Sequence, residues 1–244
     1  MANRPTIHVA AGGNGTRIRE GMGYMGFPPE FPKHLLPTGE GETLLGRIVR
    51  QCLEIGHVAI YANYDNVRHI GESSDIDQKT SLLIARNFNG PLTPLIRDIT
   101  RTGERTYACA GDFWADFADY HRSHDRPVTI LVGPSVPTRE GARFNVGDDG
   151  TVKSWERVER TTSSDLINVG AYIVDPEKLV MKLFSELAWH KEDPFNDAMI
   201  KHDLMAAYVL DSTAYNVNNP SVYAALVQDT TATRPYPAVG HPTQ

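Results

Sequence analysis

The chain has 244 residues, 41% hydrophobic and 22% charged, with Lys+Arg 24 against Asp+Glu 30 and a formal net charge of −6. That length suits one or two domains whose core needs no disulfide or metal staple. The acidic balance argues against broad nucleic-acid binding, which needs a basic face, but leaves room for a small anionic ligand held by a few local cations. No apolar run approaches the roughly 18 residues of a membrane span. Met1 to Pro5 lacks the apolar core of a signal peptide. Two cysteines, Cys52 and Cys109, are too few for a disulfide framework. These features predict a reduced, cytoplasmic protein with neither a membrane nor a nucleic-acid partner.

The first predicted element is the β-branched run Thr6 to Ala11, which enters Gly12-Gly13-Asn14-Gly15-Thr16-Arg17. A strand that feeds a glycine-rich turn opens many nucleotide-binding α/β proteins. Residues 19–33, rich in Gly and Pro, read as a long mobile loop. Leu44, Leu45, Ile48, Val49 and Leu53 share one face of a helix from Thr43 to Ile55, which Gly56 stops. His57–Ala62 reads as a buried strand and Ser81–Ala85 as a second apolar run. Leu92, Leu95, Ile96 and Ile99 have helix spacing, ended by Gly103. Arg105–Ala110 is a strand, Trp114–Ser123 a helix and Pro127–Val132 a strand. Phe113, Trp114 and Phe117 read as core, and His121 and His124 as solvent-exposed helix residues.

The second half changes character. Ala142–Val146 and Thr151–Val158 are joined by Asp148-Asp149-Gly150, a hairpin signal, and Leu166–Val174 follows. A helix over Pro176–Trp189, another near Asn196–Leu204, a strand at Ala206–Leu210 and a helix from Pro220 complete the order. Residues 229–244 are polar and proline-containing and predict a flexible tail. Alternating strands and helices predict a Rossmann-like three-layer α/β/α sandwich around a mostly parallel, mixed sheet. The organisation expected is one domain over 1–228, its first half (1–135) binding nucleotide and its second (136–228) completing the site.

Three glycines after a strand let backbone N–H groups approach an anion, and Arg17 adds a positive charge. Two familiar phosphate motifs are absent. No Lys-Thr or Lys-Ser completes a P-loop, and Ile18 stands where a dinucleotide fingerprint needs a small residue.

Gly12-Gly13-Asn14-Gly15-Thr16-Arg17, followed by Pro32-Lys33-His34-Leu35-Leu36-Pro37 and an amphipathic helix, resembles the start of the sugar-1-phosphate nucleotidylyltransferases, also called NDP-sugar pyrophosphorylases. The resemblance covers most of the chain and is weakest over 64–104. It implies a GT-A-like nucleotidyltransferase fold. It also implies that Ala11, Gly12, Gly13, Asn14, Gly15, Thr16 and Arg17 bind nucleotide, with Gly111. Ala110-Gly111-Asp112 resembles the family's strand-ending Gly-Asp, whose aspartate holds catalytic Mg²⁺. Val217-Asn218-Asn219-Pro220 resembles the late segment that supplies the second metal ligand, here Asn218. Trp155-Glu156-Arg157 resembles the Glu-Lys-Pro segment at the sugar phosphate. Ile167-Asn168-Val169-Gly170 resembles the Asn-x-Gly that holds the sugar. Glu156, Arg157, Asn168 and Gly170 are thus the implied acceptor-binding residues, and Arg17, Lys33 and Asp112 the catalytic ones.

The chemistry suits these residue types. An acceptor phosphate oxygen attacks the α-phosphorus of a nucleoside triphosphate, so positioning and charge neutralisation carry the reaction. Arg17 and Lys33 would neutralise the triphosphate, and a carboxylate with an amide oxygen suits Mg²⁺. Three features depart from the family pattern. Arg17 and Lys33 stand 16 apart, beyond the usual spacer, and Arg157 replaces a lysine. The usual base-reading Gln is missing from Ala85–Pro91, where Asn87 or Asn89, with Gly90, are the substitutes. A pyrimidine triphosphate is the expected donor, with UTP, dTTP and CTP open. A homo-oligomer is also open. The competing readings are a cytidylyltransferase for a non-sugar phosphate or phosphonate, a non-catalytic nucleotide-binding regulator, and a nicotinamide oxidoreductase without its fingerprint.

Overall fold

The computed structural model describes residues 6–11, 16–38, 41–74, 76, 80–84, 106–108, 114–138, 140–175, 178–179, 192–211, 213, 215, 217 and 220–231. Its strands are β1 (Thr6–Ala10), β2 (His57–Ala62), β3 (Ser81–Ile84), β4 (Thr106–Ala108), β5 (Val128–Gly133), β6 (Gly141–Val146), β7 (Val152–Val158), β8 (Ile167–Val174) and β9 (Met205–Val209). The described helices are α1 (Thr16–Met22), α2 (Leu44–Ile55), α3 (Tyr64–Gly71), α4 (Trp114–Ser123), α5 (Glu192–Lys201) and α6 (Pro220–Thr231). Short 3₁₀ turns occupy Gly23–Met25 and Lys33–Leu35.

The strands form one sheet in the order β3-β2-β1-β4-β8-β5-β9, with the β6–β7 hairpin attached beside β8. β1 runs parallel to β2 and β4, β2 to β3, and β5 to β9. β8 is antiparallel to both β4 and β5. The expected mixed, mostly parallel sheet is therefore present. A strand of the second half, however, lies between strands of the first.

Period-two alternation puts a core on each face of the sheet. Ile7, Val9, Val58, Ile60, Leu131 and Ile173 face Leu45, Val49 and Cys52 of α2 and Phe117 of α4. Val128, Ile130, Val132, Tyr172 and Val174 face Phe195 and Met199 of α5, together with Phe144 and Val152 of the hairpin. Each of these large side chains contributes about 1.5–3 kcal/mol by leaving water.

Local signals account for the element ends. The Thr43 hydroxyl caps α2 by accepting from the Gly46 N–H at 3.0 Å. Gly150, at φ 74, closes the predicted hairpin, its N–H donating to Gly147 O at 2.9 Å.

Several expectations are corrected. Residues 19–33 are not one open loop, because α1 continues to Met22 and a 3₁₀ turn follows. Met22 is fully buried with Ile18, Leu36, Val217, Val222 and Tyr223 in a third core, which holds the segment in place. His121 is buried, not exposed, its Nδ1 2.7 Å from Thr129 Oγ1, because α4 lays that face on β5. Helix α6 runs to Thr231, into the expected tail. α5 starts at Glu192, ahead of the predicted Asn196. The α3 helix was not foreseen. The predicted helix over 92–99, nearly all of that over 176–189, and residues 232–244 lie outside the described residues. Cys52 is buried and takes part in no disulfide among the described residues.

Candidate active site

The chain leaves β1 for β2 and β3 on one side, and β4 returns on the other side of β1. In open α/β sheets this reversal opens a crevice at the carboxyl ends of the strands, where ligands bind. Ala11 stands at that edge, immediately before Gly12. β4 ends at Ala108, shortly before Gly111 and Asp112. β8 reaches the same edge from the opposite direction. Ala108 pairs with Tyr172, so Gly170 and Asn168 extend past the end of β4. Gly12–Gly15, Asn87, Gly90, Gly111, Asp112 and Asn218 themselves lie outside the described residues, as do the side chains of Thr16 and Arg17.

The backbone before the glycine turn is pinned. Asn66 of α3 donates its Nδ2 hydrogen to Ala11 O at 3.0 Å, and Ala11 N–H donates to Tyr61 O at 2.7 Å. The α3 helix begins where β2 ends, so the β1–β2 ladder has no further rung for that carbonyl, and Asn66 supplies the donor instead. Asn63 caps the same helix by accepting from Asn66 N–H at 2.8 Å. A short polar helix carrying only Val67 and Ile70 at apolar spacing gave no periodic signal, although Asn63 is a legible cap.

Lys33 and His34 share the 3₁₀ turn that follows Pro32. The turn is tied down through Leu36, buried against α1, and through Tyr223, whose hydroxyl donates to Pro37 O at 2.7 Å. Among the described residues His34 Nε2 is buried without a hydrogen-bond partner. Burial above all, then the charges of Lys33 and His69, lowers its pKa from the ordinary 6.5 to about 4. Between pH 6.5 and about 4 the unfolded chain takes up a proton that the folded chain refuses, so stability falls as pH drops across this window. The loss reaches roughly 3 kcal/mol at its foot. Thermal melts of wild type and H34Q over that range should show the wild type losing more stability toward acid. Parallel pH profiles would remove His34 as the cause.

Val217 and Pro220 bracket Asn218 and both lie against α1, Val217 in the third core and Pro220 beside Gly21. Pro220 is the first residue of α6, where its missing N–H costs nothing. The late segment is thereby set beside the helix that carries Arg17.

Around β7 the neighbours Glu156 and Arg157 face opposite ways, as strand residues do. Glu156 pairs with Arg143, which also reaches Asp165 at 3.3 Å. Arg157 pairs with Asp193 of α5, its Nε 3.2 Å from Asp193 Oδ2, and lies 5.7 Å from the Trp155 ring centre. The Arg157 charge reaches Glu192, a hydrogen-bond partner of Asn168, whereas Glu156 is held by Arg143. Asn168 is 6% exposed and donates from Nδ2 to Tyr172 Oη at 2.8 Å and to Glu192 Oε1, while its Oδ1 accepts from Gly170 N–H at 2.7 Å. Tyr172 Oη donates to Glu192 Oε1 at 2.7 Å. Gly170, at φ 89, sits where β8 is irregular against β5, and a Cβ added there would meet nothing within 4 Å. Irregularities of this kind recur beside active sites. Burial, the largest cause, raises the Glu192 pKa against the opposing hydrogen bond from Tyr172 and the charge of Arg157. Burial, with the Glu192 charge, holds the Tyr172 hydroxyl well above its ordinary value. Tyr172 and Glu192 were not singled out from the sequence. The usable signal was Glu192-Asp193-Pro194, acids and a proline in a first helical turn.

Among the described residues no group of three or more His, Cys, Asp or Glu could hold a metal, and no helix is long and apolar enough to cross a membrane. No protein-family model matches the chain, and no curated protein sequence matches it. Solved structures do match. HddC from Yersinia pseudotuberculosis superposes with a TM-score of 0.63 at 16% identity, over 93% of this chain and 99% of its own. The same protein complexed with GMP-PN gives 0.66 at 15% identity, again over 93% and 99%. A putative glucose-1-phosphate thymidylyltransferase from Bacillus anthracis, in complex with a sucrose, gives 0.69 at 14% identity over 94% and 96%. The chain has the fold of the sugar-phosphate nucleotidyltransferases. Near-complete coverage on both sides means that the nucleotidyltransferase fold accounts for the second half as well as the first, β8 included.

Proposed function

We propose that this chain joins a nucleoside triphosphate to a sugar 1-phosphate, giving an NDP-sugar and pyrophosphate. The observation that carries this reading is convergence at one sheet edge of the nucleotidyltransferase fold. The end of β1 is tied to α3 through Asn66, and the Lys33 turn and the Val217–Pro220 segment pack on α1, the helix that follows the glycine turn. In the reaction an acceptor phosphate oxygen forms a bond to the α-phosphorus while the bond from that phosphorus to the bridging oxygen breaks, and pyrophosphate carries the electron pair away. Backbone N–H groups of the glycine turn, with Arg17 and Lys33, hold the triphosphate and neutralise the leaving group. Arg157 and Asn168 lie on the acceptor side, with Glu156 and Gly170 at its border.

Asp112 and Asn218 would supply a carboxylate and an amide oxygen, a donor set that fits Mg²⁺. When bound, the ion supplies charge neutralisation for the triphosphate.

The test is a matrix of nucleoside triphosphates against phosphorylated acceptors, read by pyrophosphate release. UTP, dTTP, CTP and GTP are included, the last because GMP-PN is bound to the Yersinia protein. Release with a pyrimidine triphosphate and a sugar 1-phosphate is expected. Release only with an alcohol phosphate or phosphonate would replace the sugar reading with the cytidylyltransferase one.

A further inference from the structure

The carbonyl at the end of β1 is held by a side chain instead of a strand. Ala10 pairs with Tyr61 in the last register of β1 on β2, and Ala11 N–H donates to Tyr61 O at 2.7 Å. In a parallel ladder the next rung would bring the Asn63 N–H to Ala11 O. The chain turns at Asn63, which caps α3. Asn66 takes the place of that rung, donating from Nδ2 to Ala11 O at 3.0 Å. The partner is a carbonyl, so the amide has to present its nitrogen. Asn66 is itself fixed, because its backbone N–H donates to Asn63 Oδ1 at 2.8 Å.

The bond falls on the last residue before Gly12-Gly13-Asn14-Gly15. A peptide plane that precedes a residue with a Cβ is restrained by that residue's φ limits, whereas one that precedes glycine turns far more freely. The plane joining Ala11 to Gly12 therefore needs an outside constraint, and a hydrogen bond to its oxygen is one. In a trans peptide unit the oxygen and the following N–H point opposite ways, so holding the first aims the second. For the stability of α3 alone, alanine is the better residue at position 66. Three residues on, the same face of α3 carries His69, whose charge acts on His34, the neighbour of Lys33. α3 thus stands near both halves of the N-terminal motif.

We propose that Asn66 is a positioning residue for the donor nucleotide, acting through the Ala11 carbonyl to set the peptide unit that opens the glycine turn. The inference rests on the transferase reading and deepens it, since it adds α3, outside both motifs, to the donor side of the site. Asn66 touches no substrate. It holds the turn in its binding shape before the nucleotide arrives, so the nucleotide does not have to order it.

The experiment is calorimetric titration of the whole chain, with magnesium present, using α,β-methylene analogues of UTP, dTTP, CTP and GTP. Glucose, galactose and mannose 1-phosphates are then titrated at saturating analogue. Wild type, N66A and N66Q are compared. Affinity for the best analogue should fall about tenfold in N66A, the scale of one hydrogen bond. N66Q keeps an amide donor on a longer arm and should recover part of that loss. Affinity for the best sugar 1-phosphate should stay within about twofold of wild type in both variants, and melting should change little, because the better helix propensity of alanine offsets the missing bond. The inference is overturned if N66A binds the analogue as wild type does, if N66Q is as weak as N66A, or if sugar-phosphate affinity or melting temperature collapses in step with analogue affinity. Titration needs no turnover. A wild type that binds the analogue but releases no pyrophosphate with any acceptor sinks the transferase reading alone. Pyrophosphate release by N66A with an unchanged KM for the triphosphate sinks this inference alone, and a wild type that binds none of the analogues sinks both.

Discussion

Asp112→Asn should lower pyrophosphate release by at least about a hundredfold while leaving the melting temperature near that of wild type. The residue follows β4 in the sequence, and β4 ends at Ala108 beside β1 at the strand reversal. In that position a carboxylate has two contributions to make, its formal charge and a hard oxygen for a divalent cation. Asparagine keeps the shape and one oxygen but removes the charge, so the substitution isolates electrostatics from packing. Titration with Mg²⁺ at fixed triphosphate should show a raised requirement for the ion. Collapse of thermal stability with unchanged turnover per folded molecule would make Asp112 a turn residue.

Gly21→Ala should destabilise the chain by about 1–3 kcal/mol, which at this length shifts melting by very roughly 2–12 °C. The sign is the informative part. Inside a helix, exchanging Gly for Ala ordinarily stabilises by about 1 kcal/mol. Here an added Cβ would lie 1.8 Å from Pro220 Cγ and 2.9 Å from Pro220 Cβ, and a proline ring cannot swing away. α1 and α6 would have to part, opening the core made by Ile18, Met22, Val222 and Tyr223. Activity should fall with stability, since α1 carries Arg17. Pro220→Ala removes the nearest carbon, so it should restore part of the loss when combined with Gly21→Ala, a coupling that a double-mutant cycle measures. A stabilised single variant would mean that the two helices are not in close contact in solution.

What the sequence shows well is whatever a single element's own pattern decides. Thr43 with Leu45, Ile48 and Val49 marks α2, and Asp148-Asp149-Gly150 marks the hairpin between β6 and β7. What it hides depends on partners far along the chain. His121 sits on a helix of mixed polarity, and only the placement of α4 on Thr129 makes it internal. Residues 19–33 carry the Gly and Pro of a loop, yet Met22 and Phe27 are ordered by Val217 and Tyr223, about two hundred positions away. The glycine-rich motif with Arg17, and the Lys33 segment, stand out in the sequence as candidates because backbone approach to an anion demands particular small and cationic residues close together. Glu192 was not, because its meaning comes from Tyr172 and Asn168 on a strand some twenty residues earlier.

The place of β8 bears on how this protein can be made and divided. β4 and β5 are joined through it rather than to each other. A ribosome that has extended only the first 135 residues exposes one margin of β4 and both margins of β5, each a template for pairing with a stranger. The nascent sheet waits for residues 167–174 to arrive as a wedge. The first 135 residues therefore cannot be harvested by truncation, and a chimera exchanged near residue 135 inherits a seam whose two sides come from different parents.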